Sequence, residues 1–233
     1  MKGQTRNCFL SAGIFLGAFA LWTALLCLID RQPIGPQGST VGFAALNQSV
    51  HELIGVNMVL YTLTDWLSLV PVGLVAGFGI LGLAQWIGRK KLRKVDFSLL
   101  LLGGFFLAVL AAYLLFEIIE VNYRPVLLDG VLEASYPSST TMLALCILPT
   151  AARELNLRIR CKPLRAFLTL GITAFLLLMV VGRVLSGVHW ITDIIGGCLL
   201  SGGLLMAYHA AAGWETQHNA PGETFSSWNE RDG

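Results

Sequence analysis

Charge is what this sequence lacks most. Only 13% of its 233 residues are charged and the formal net charge is +2, whereas roughly a quarter of a soluble domain is charged. That excludes an ordinary soluble domain, and a near-neutral chain has no electrostatic hold on nucleic acid, which is not expected as a partner. No polar low-complexity tract is long enough to stay solvated by itself. Cysteine is scarce and odd in number, at five. Cys8, Cys27, Cys146 and Cys198 lie in or beside apolar runs, so a disulfide framework is not expected. There is also no internal repeat of the kind that builds a transporter from two halves. What is abundant is apolar: 55% of residues are hydrophobic, and the mean hydropathy is +0.68.

A helix needs ~20 apolar residues to cross a bilayer. Uninterrupted runs place candidate spans at 7–29, 66–87, 97–119, 138–152, 166–185 and 190–212. The fourth is short and contains Pro149, so it is either buried among its neighbours or begins at headgroup level. Between the first two spans, a turn-like stretch is followed by a mixed one with Asn47, His51, Glu52 and Asn57, which reads as an amphipathic helix at the interface. The expected fold is therefore an all-α integral membrane protein with six transmembrane helices and an interfacial helix between spans one and two. Residues 1–212 are expected to form a single domain, its second half about 97–212, and 213–233 a flexible cytoplasmic tail. The first span is longer than a signal-peptide core and no small-x-small cleavage site follows it, so an uncleaved anchor is expected.

Orientation comes from the basic residues. Lys2, Arg6, Arg89, Lys90, Lys91, Arg93, Lys94, Arg153, Arg158, Arg160, Lys162 and Arg165 fall on one side; Arg31, Arg124 and Arg183 fall on the other; Arg231 is in the tail. This asymmetry predicts both termini in the cytoplasm of a multi-pass cell-membrane protein. Three segments then share the outer face: EIIEVNYRP over 117–125, YPSSTT over 136–141 and RVLSGVHWITD over 183–193. Each has a reason to hold phosphate. The guanidiniums of Arg124 and Arg183 grip phosphate oxygens bidentately, and arginine so near hydrocarbon is there for a partner. Ser138, Ser139 and Thr140, following Pro137, suit a helix N-terminus whose free N–H groups meet an anion. His189 and Asp193, four apart at the start of a span, are expected to share a face, with Asp193 accepting the imidazole Nδ1–H and Nε2 left as a nucleophile. His51 and His209 read as structural.

These segments resemble the type-2 phosphatidic acid phosphatase family, six-span lipid phosphate phosphatases related to vanadium haloperoxidases, over roughly 117–197. That family carries Lys-x6-Arg-Pro, Pro-Ser-Gly-His and Ser-Arg-x5-His-x3-Asp; this chain has Arg124-Pro125, Pro137-Ser138, and Arg183, His189 and Asp193 at matching spacing. The resemblance implies an all-helical fold, an outward-facing site, no metal and no cofactor. It further implies that Arg124, Ser138 and Arg183 hold the phosphate of a lipid substrate, that His189 attacks it, and that Asp193 orients His189.

The departures are specific. Glu117 stands where the family has lysine, Thr140 where it has its second histidine, Ser139 for glycine and Gly182 for serine. That second histidine protonates the leaving oxygen, and threonine cannot do so near neutral pH. A departing alkoxide needs that proton. A departing phosphate, whose second pKa is ~6, leaves as a stable anion. A lipid diphosphate such as polyprenyl (undecaprenyl) diphosphate is therefore the expected substrate, cleaved through a phosphohistidine. Glu117 repels phosphate unless it is protonated, pairs with an arginine or meets a substrate cation; as a carboxyl in a partly apolar site it is also a candidate proton donor, with Glu120 its rival. A lipid monophosphatase, a phosphotransferase and a non-catalytic lipid-phosphate binder or transporter remain the competing readings. The oligomeric state is not legible.

Overall fold

A computed structural model describes residues 2–218, with side chains for 3–214. It contains α1 (Lys2–Leu28), α2 (Ala44–Ile54), α3 (Met58–Leu67), α4 (Leu69–Arg89), α5 (Phe97–Ile118), α6 (Ser139–Arg158), α7 (Lys162–Leu185) and α8 (Ile191–His218). β-pairing among the described residues is confined to isolated bridges such as Tyr123 with Ala134 and Leu128 with Val131. The chain is all-helical, as expected. Among the described residues, five segments are long and apolar enough to span a bilayer: Gly3–Leu28, Met58–Arg89, Phe97–Ile118, Lys162–Leu185 and Ile191–Trp214. Residues such as Ile14, Ile80 and Phe167 lie bare on their outer faces, an arrangement that water would penalise and lipid does not.

α6 is the departure from six apolar spans. It opens on Ser139, Thr140 and Thr141, contains Pro149 and ends with Arg153, Glu154 and Arg158. It nevertheless sits against both α7 and α8, with Ala144, Cys146, Leu148 and Ala151 sealed inside. A helix walled by other helices needs no lipid-facing apolar surface, so hydropathy under-reads it. Its polar groups are satisfied internally. The Thr150 hydroxyl bonds back to the Cys146 carbonyl at 2.8 Å. Glu154, fully buried, accepts from Arg153 at 3.0 Å and from the Tyr208 hydroxyl at 3.2 Å, and pairs with Arg158.

The segment after α1 also differs from expectation. Instead of one helix there are two, α2 and α3, and α3 runs into α4 across Ser68, so the apolar segment long enough to span begins at Met58 and includes α3. Asn57 explains the new start: its side chain accepts the Leu60 N–H at 3.0 Å, an N-cap. The shift brings Tyr61, Thr64 and Asp65 onto α7. α1 packs along α8, and Trp22 donates to the Thr192 carbonyl at 3.2 Å. The tail expected from 213 starts inside α8, which continues to His218; the remainder of that tail lies outside the described residues.

Candidate active site

The ends of α5 and α7 meet the starts of α6 and α8 on one face. Between α5 and α6 the chain doubles back in a narrow hairpin, turning at Asp129 and Gly130 with φ of 50° and 79°; two successive left-handed residues are what such a tight turn requires. The hairpin sets Arg124 opposite Glu133, whose carbonyl accepts the Arg124 N–H at 3.0 Å. Trp190 Nε1 fastens the hairpin by donating to the Tyr123 carbonyl at 2.7 Å, and the Ser138 N–H donates to the Asp193 carbonyl at 3.0 Å.

His189 lies in the turn joining α7 to α8, its side chain 1% exposed. Gly187 permits the turn: its φ is +64°, and a Cβ there would sit 1.9 Å from the Gly55 carbonyl oxygen. His189 Nδ1 is 3.1 Å from the Ser135 carbonyl. A carbonyl only accepts, so Nδ1 carries the proton and Nε2 holds the lone pair. Arg124 Nη1 donates to that lone pair at 3.0 Å. Burial, and then the positive charges of Arg124 and Arg183, hold the imidazole well below its ordinary pKa against the opposing bond to Ser135, so it is neutral at neutral pH.

The expected His189–Asp193 hydrogen bond is not made. Asp193 Oδ2 stands 3.8 Å from Nδ1 and accepts the Trp190 N–H at 3.0 Å, while Oδ1 accepts from Asn122 Nδ2 at 3.3 Å. The spacing argument assumed a helix through both residues, but α8 begins at Ile191, so His189 precedes it. Asp193 instead braces the turn that carries His189.

Arg183 is almost fully buried. Its Nη1 donates to Thr64 Oγ1 at 3.2 Å, its Nη2 to Thr140 Oγ1 at 2.8 Å and to Asp65 Oδ1 at 3.3 Å, and the guanidinium lies over the Tyr61 ring at 4.8 Å. Among the described residues, Arg183 Nε has no acceptor. A Cβ on Gly182 would come 2.7 Å from Thr64 Cγ2, so the close approach of α3 accounts for glycine at this position.

Ser138 Oγ turns 3.0 Å to Thr141 Oγ1 and is buried away from the cavities. Ser139 starts α6, whose Ser138 N-cap makes no side-chain cap bond, leaving first-turn N–H groups available to an anion. A cavity of about 200 Å³ is lined by Glu117, Arg124, Glu133, Ser135, Ser139 and His189. A second, of about 920 Å³, is an apolar cleft between α4 and α5 that reaches Asp65 and Thr140. Tyr113, Ser139 and Met142 wall both. Both glutamates are exposed, but Glu117 lines the cavity of His189, whereas Glu120 does not and accepts from the Tyr123 hydroxyl.

Sequence reasoning missed Asn122, Glu133, Ser135 and Asp65. Ser135 acts through its carbonyl, which no side-chain pattern reveals. Glu133 reaches Arg124 only because the hairpin folds back, and Asp65 reaches Arg183 only because α3 is a helix.

Residues 104–217 match the PAP2 superfamily. No curated protein sequence matches the chain. Among solved structures, it is similar to the first transmembrane PAP2 type phosphatidylglycerolphosphate phosphatase from Bacillus subtilis, at 20% identity and a TM-score of 0.52, over 91% of this chain and 99% of that one. That likeness is one of fold.

Proposed function

From the premise that residues 104–217 of this chain belong to the PAP2 superfamily, we propose that the protein is a membrane lipid phosphatase, preferring a lipid diphosphate such as polyprenyl diphosphate and working through a phosphohistidine at the outer membrane face. One observation carries the reading: a neutral histidine presents Nε2, beside a buried arginine, to a polar cavity that shares a wall with an apolar cleft. The cleft takes the lipid chain and the cavity takes the phosphate. Arg124 swings Nη1 from His189 to a phosphate oxygen, freeing the lone pair. His189 Nε2 then bonds to phosphorus as the P–O bond to the leaving group breaks, and water hydrolyses the phosphohistidine. Arg124 and Arg183 neutralise the charge that develops, and the scheme draws on no metal ion or cofactor. The basic residues cluster at the opposite helix ends, which supports an extracytoplasmic site.

The preference for diphosphate rests on the missing acid. Thr140 has its oxygen taken by Arg183, and among the described residues His189 is the one histidine lining its cavity. Glu117, lining the same cavity, favours a second reading in which it protonates an alkoxide and monophosphates are also cleaved. A single panel separates these: phosphate release from lipid mono- and diphosphates by wild type, His189→Ala and Glu117→Gln. Diphosphates are expected to react at least ~10²-fold faster than monophosphates, in line with the worth of a general acid. His189→Ala should abolish release, and Glu117→Gln should spare diphosphate turnover. Equal rates on both substrate classes would refute the leaving-group argument; release unaffected by His189→Ala would discard the nucleophile; no release by wild type favours a binder.

A further inference from the structure

Both arginines of the site are already occupied by carboxylates. Arg124 Nε meets Glu133 Oε2 at 3.0 Å, and Arg183 Nη2 meets Asp65 Oδ1 at 3.3 Å. The pairs are asymmetric in the same way. The arginine side chains are 10% and 2% exposed, whereas Glu133 is 44% and Asp65 55% exposed. The cations are fixed in the protein, and the anions sit on the open side of each pair, Glu133 in the polar cavity and Asp65 at the end of the apolar cleft nearest the site, where they can move aside. A headgroup therefore meets both on its way to His189.

We infer that Glu133 and Asp65 are specificity-determining residues that stand in for the substrate's two negative charges and exclude phosphodiester lipids. The inference rests on the phosphate-site reading above and concerns which phosphates the site admits. A terminal phosphate, on a monoester or a diphosphate, is a dianion above its second pKa of ~6. It replaces two carboxylates with two charges, and its three free oxygens satisfy both guanidiniums. A phosphodiester carries one charge and two free oxygens. It can displace one carboxylate, and the other then remains beside it as a like charge in a largely buried site. Rejection by a retained repulsive group is a means of discrimination that needs no added attraction for the substrate. The displaced carboxylates lose little, because half-exposed ion pairs are weak. The problem is acute for a site opening on a bilayer, whose bulk lipids present phosphodiesters at high local concentration.

The test uses the full chain in detergent at pH 8, with dihexanoyl phosphatidate as the monoester probe and dihexanoyl phosphatidylglycerol as the diester probe, measuring affinity by microscale thermophoresis. Wild type should bind phosphatidate at least ~10-fold more tightly than phosphatidylglycerol, and the Glu133→Gln/Asp65→Asn double variant should close that gap by gaining diester affinity, each single variant closing part of it. Phosphatidylglycerol should then inhibit phosphate release by the double variant and leave wild type unaffected. The amides keep an oxygen acceptor for each arginine, and unfolding temperatures of the variants establish that the fold is retained. A double variant that binds phosphatidate and still rejects phosphatidylglycerol overturns the inference while leaving the phosphatase reading intact. Wild type that binds neither probe overturns the phosphate-site reading and this inference with it.

Discussion

His189 is held at three points: Nδ1 by a carbonyl, Nε2 by a guanidinium, and its backbone turn by Gly187 against Gly55. Burial and the two nearby arginine charges disfavour the imidazolium. The direction is therefore toward resistance to protonation, so the neutral form should persist below pH 6.5, the ordinary imidazole midpoint. Histidine-selective ¹⁵N labelling makes this measurable without substrate, with the resonance assigned by its loss in His189→Ala. A midpoint at 6.5 or above would contradict the geometry. The residues of this site were unevenly legible in the sequence. Arg124 and Arg183 stood out because charge beside hydrocarbon demands a reason, and His189 because it falls on the same face as both. The proton acceptor did not, because it is the backbone of Ser135. The role of Asp193 was misread because a spacing of four has meaning only inside a helix, and this helix starts at Ile191.

Among the elements, α6 shows how context overrides pattern. Its sequence is too polar and too interrupted for an autonomous span, and its position between α7 and α8 makes that irrelevant. Polar satisfaction replaces hydropathy: Glu154 joins Arg153 and Arg158 on its own helix to Tyr208 on α8, while Arg158 reaches Asp96 ahead of α5 at 3.9 Å. Glu154→Ala would leave two arginines, 28% and 27% exposed, without their buried partner. Discounting the upper range for that partial exposure, the loss should be about 2–3 kcal/mol, seen as a lower thermal midpoint in detergent. An unchanged midpoint would mean that the network is incidental. The other long helices were found from their apolar runs, since a lipid-facing surface leaves an unbroken signature, but their polar ends were not: α1 begins at Lys2 and α8 runs on to His218. α2 and α3 were merged because a short interfacial helix and the start of a span have the same mixed composition.

For the whole molecule, the reading depends on which way it sits. The site lies at the ends of α5 and α7, and the loops rich in arginine and lysine lie at the other ends. Cys161, exposed between α6 and α7, is on that basic side. A membrane-impermeant maleimide should therefore label Cys161 in inverted vesicles and not in right-side-out ones, with Cys161→Ser as the control. Labelling in right-side-out vesicles would place the phosphate cavity in the cytoplasm.

The wall of Tyr113, Ser139 and Met142 shared by cavity and cleft bears on traffic. On the proposed reading the two products are unlike in solubility, one a water-soluble ion and the other a lipid, and each starts out beside a compartment that suits it. The lipid can return sideways to the bilayer while the phosphoryl group is still on His189, and water then releases the ion on the opposite side of the wall. The lipid leaves first, because the hydrolytic water takes the position in line with Nε2 that the lipid vacates, and since the two products leave by different routes turnover does not require the helices to part.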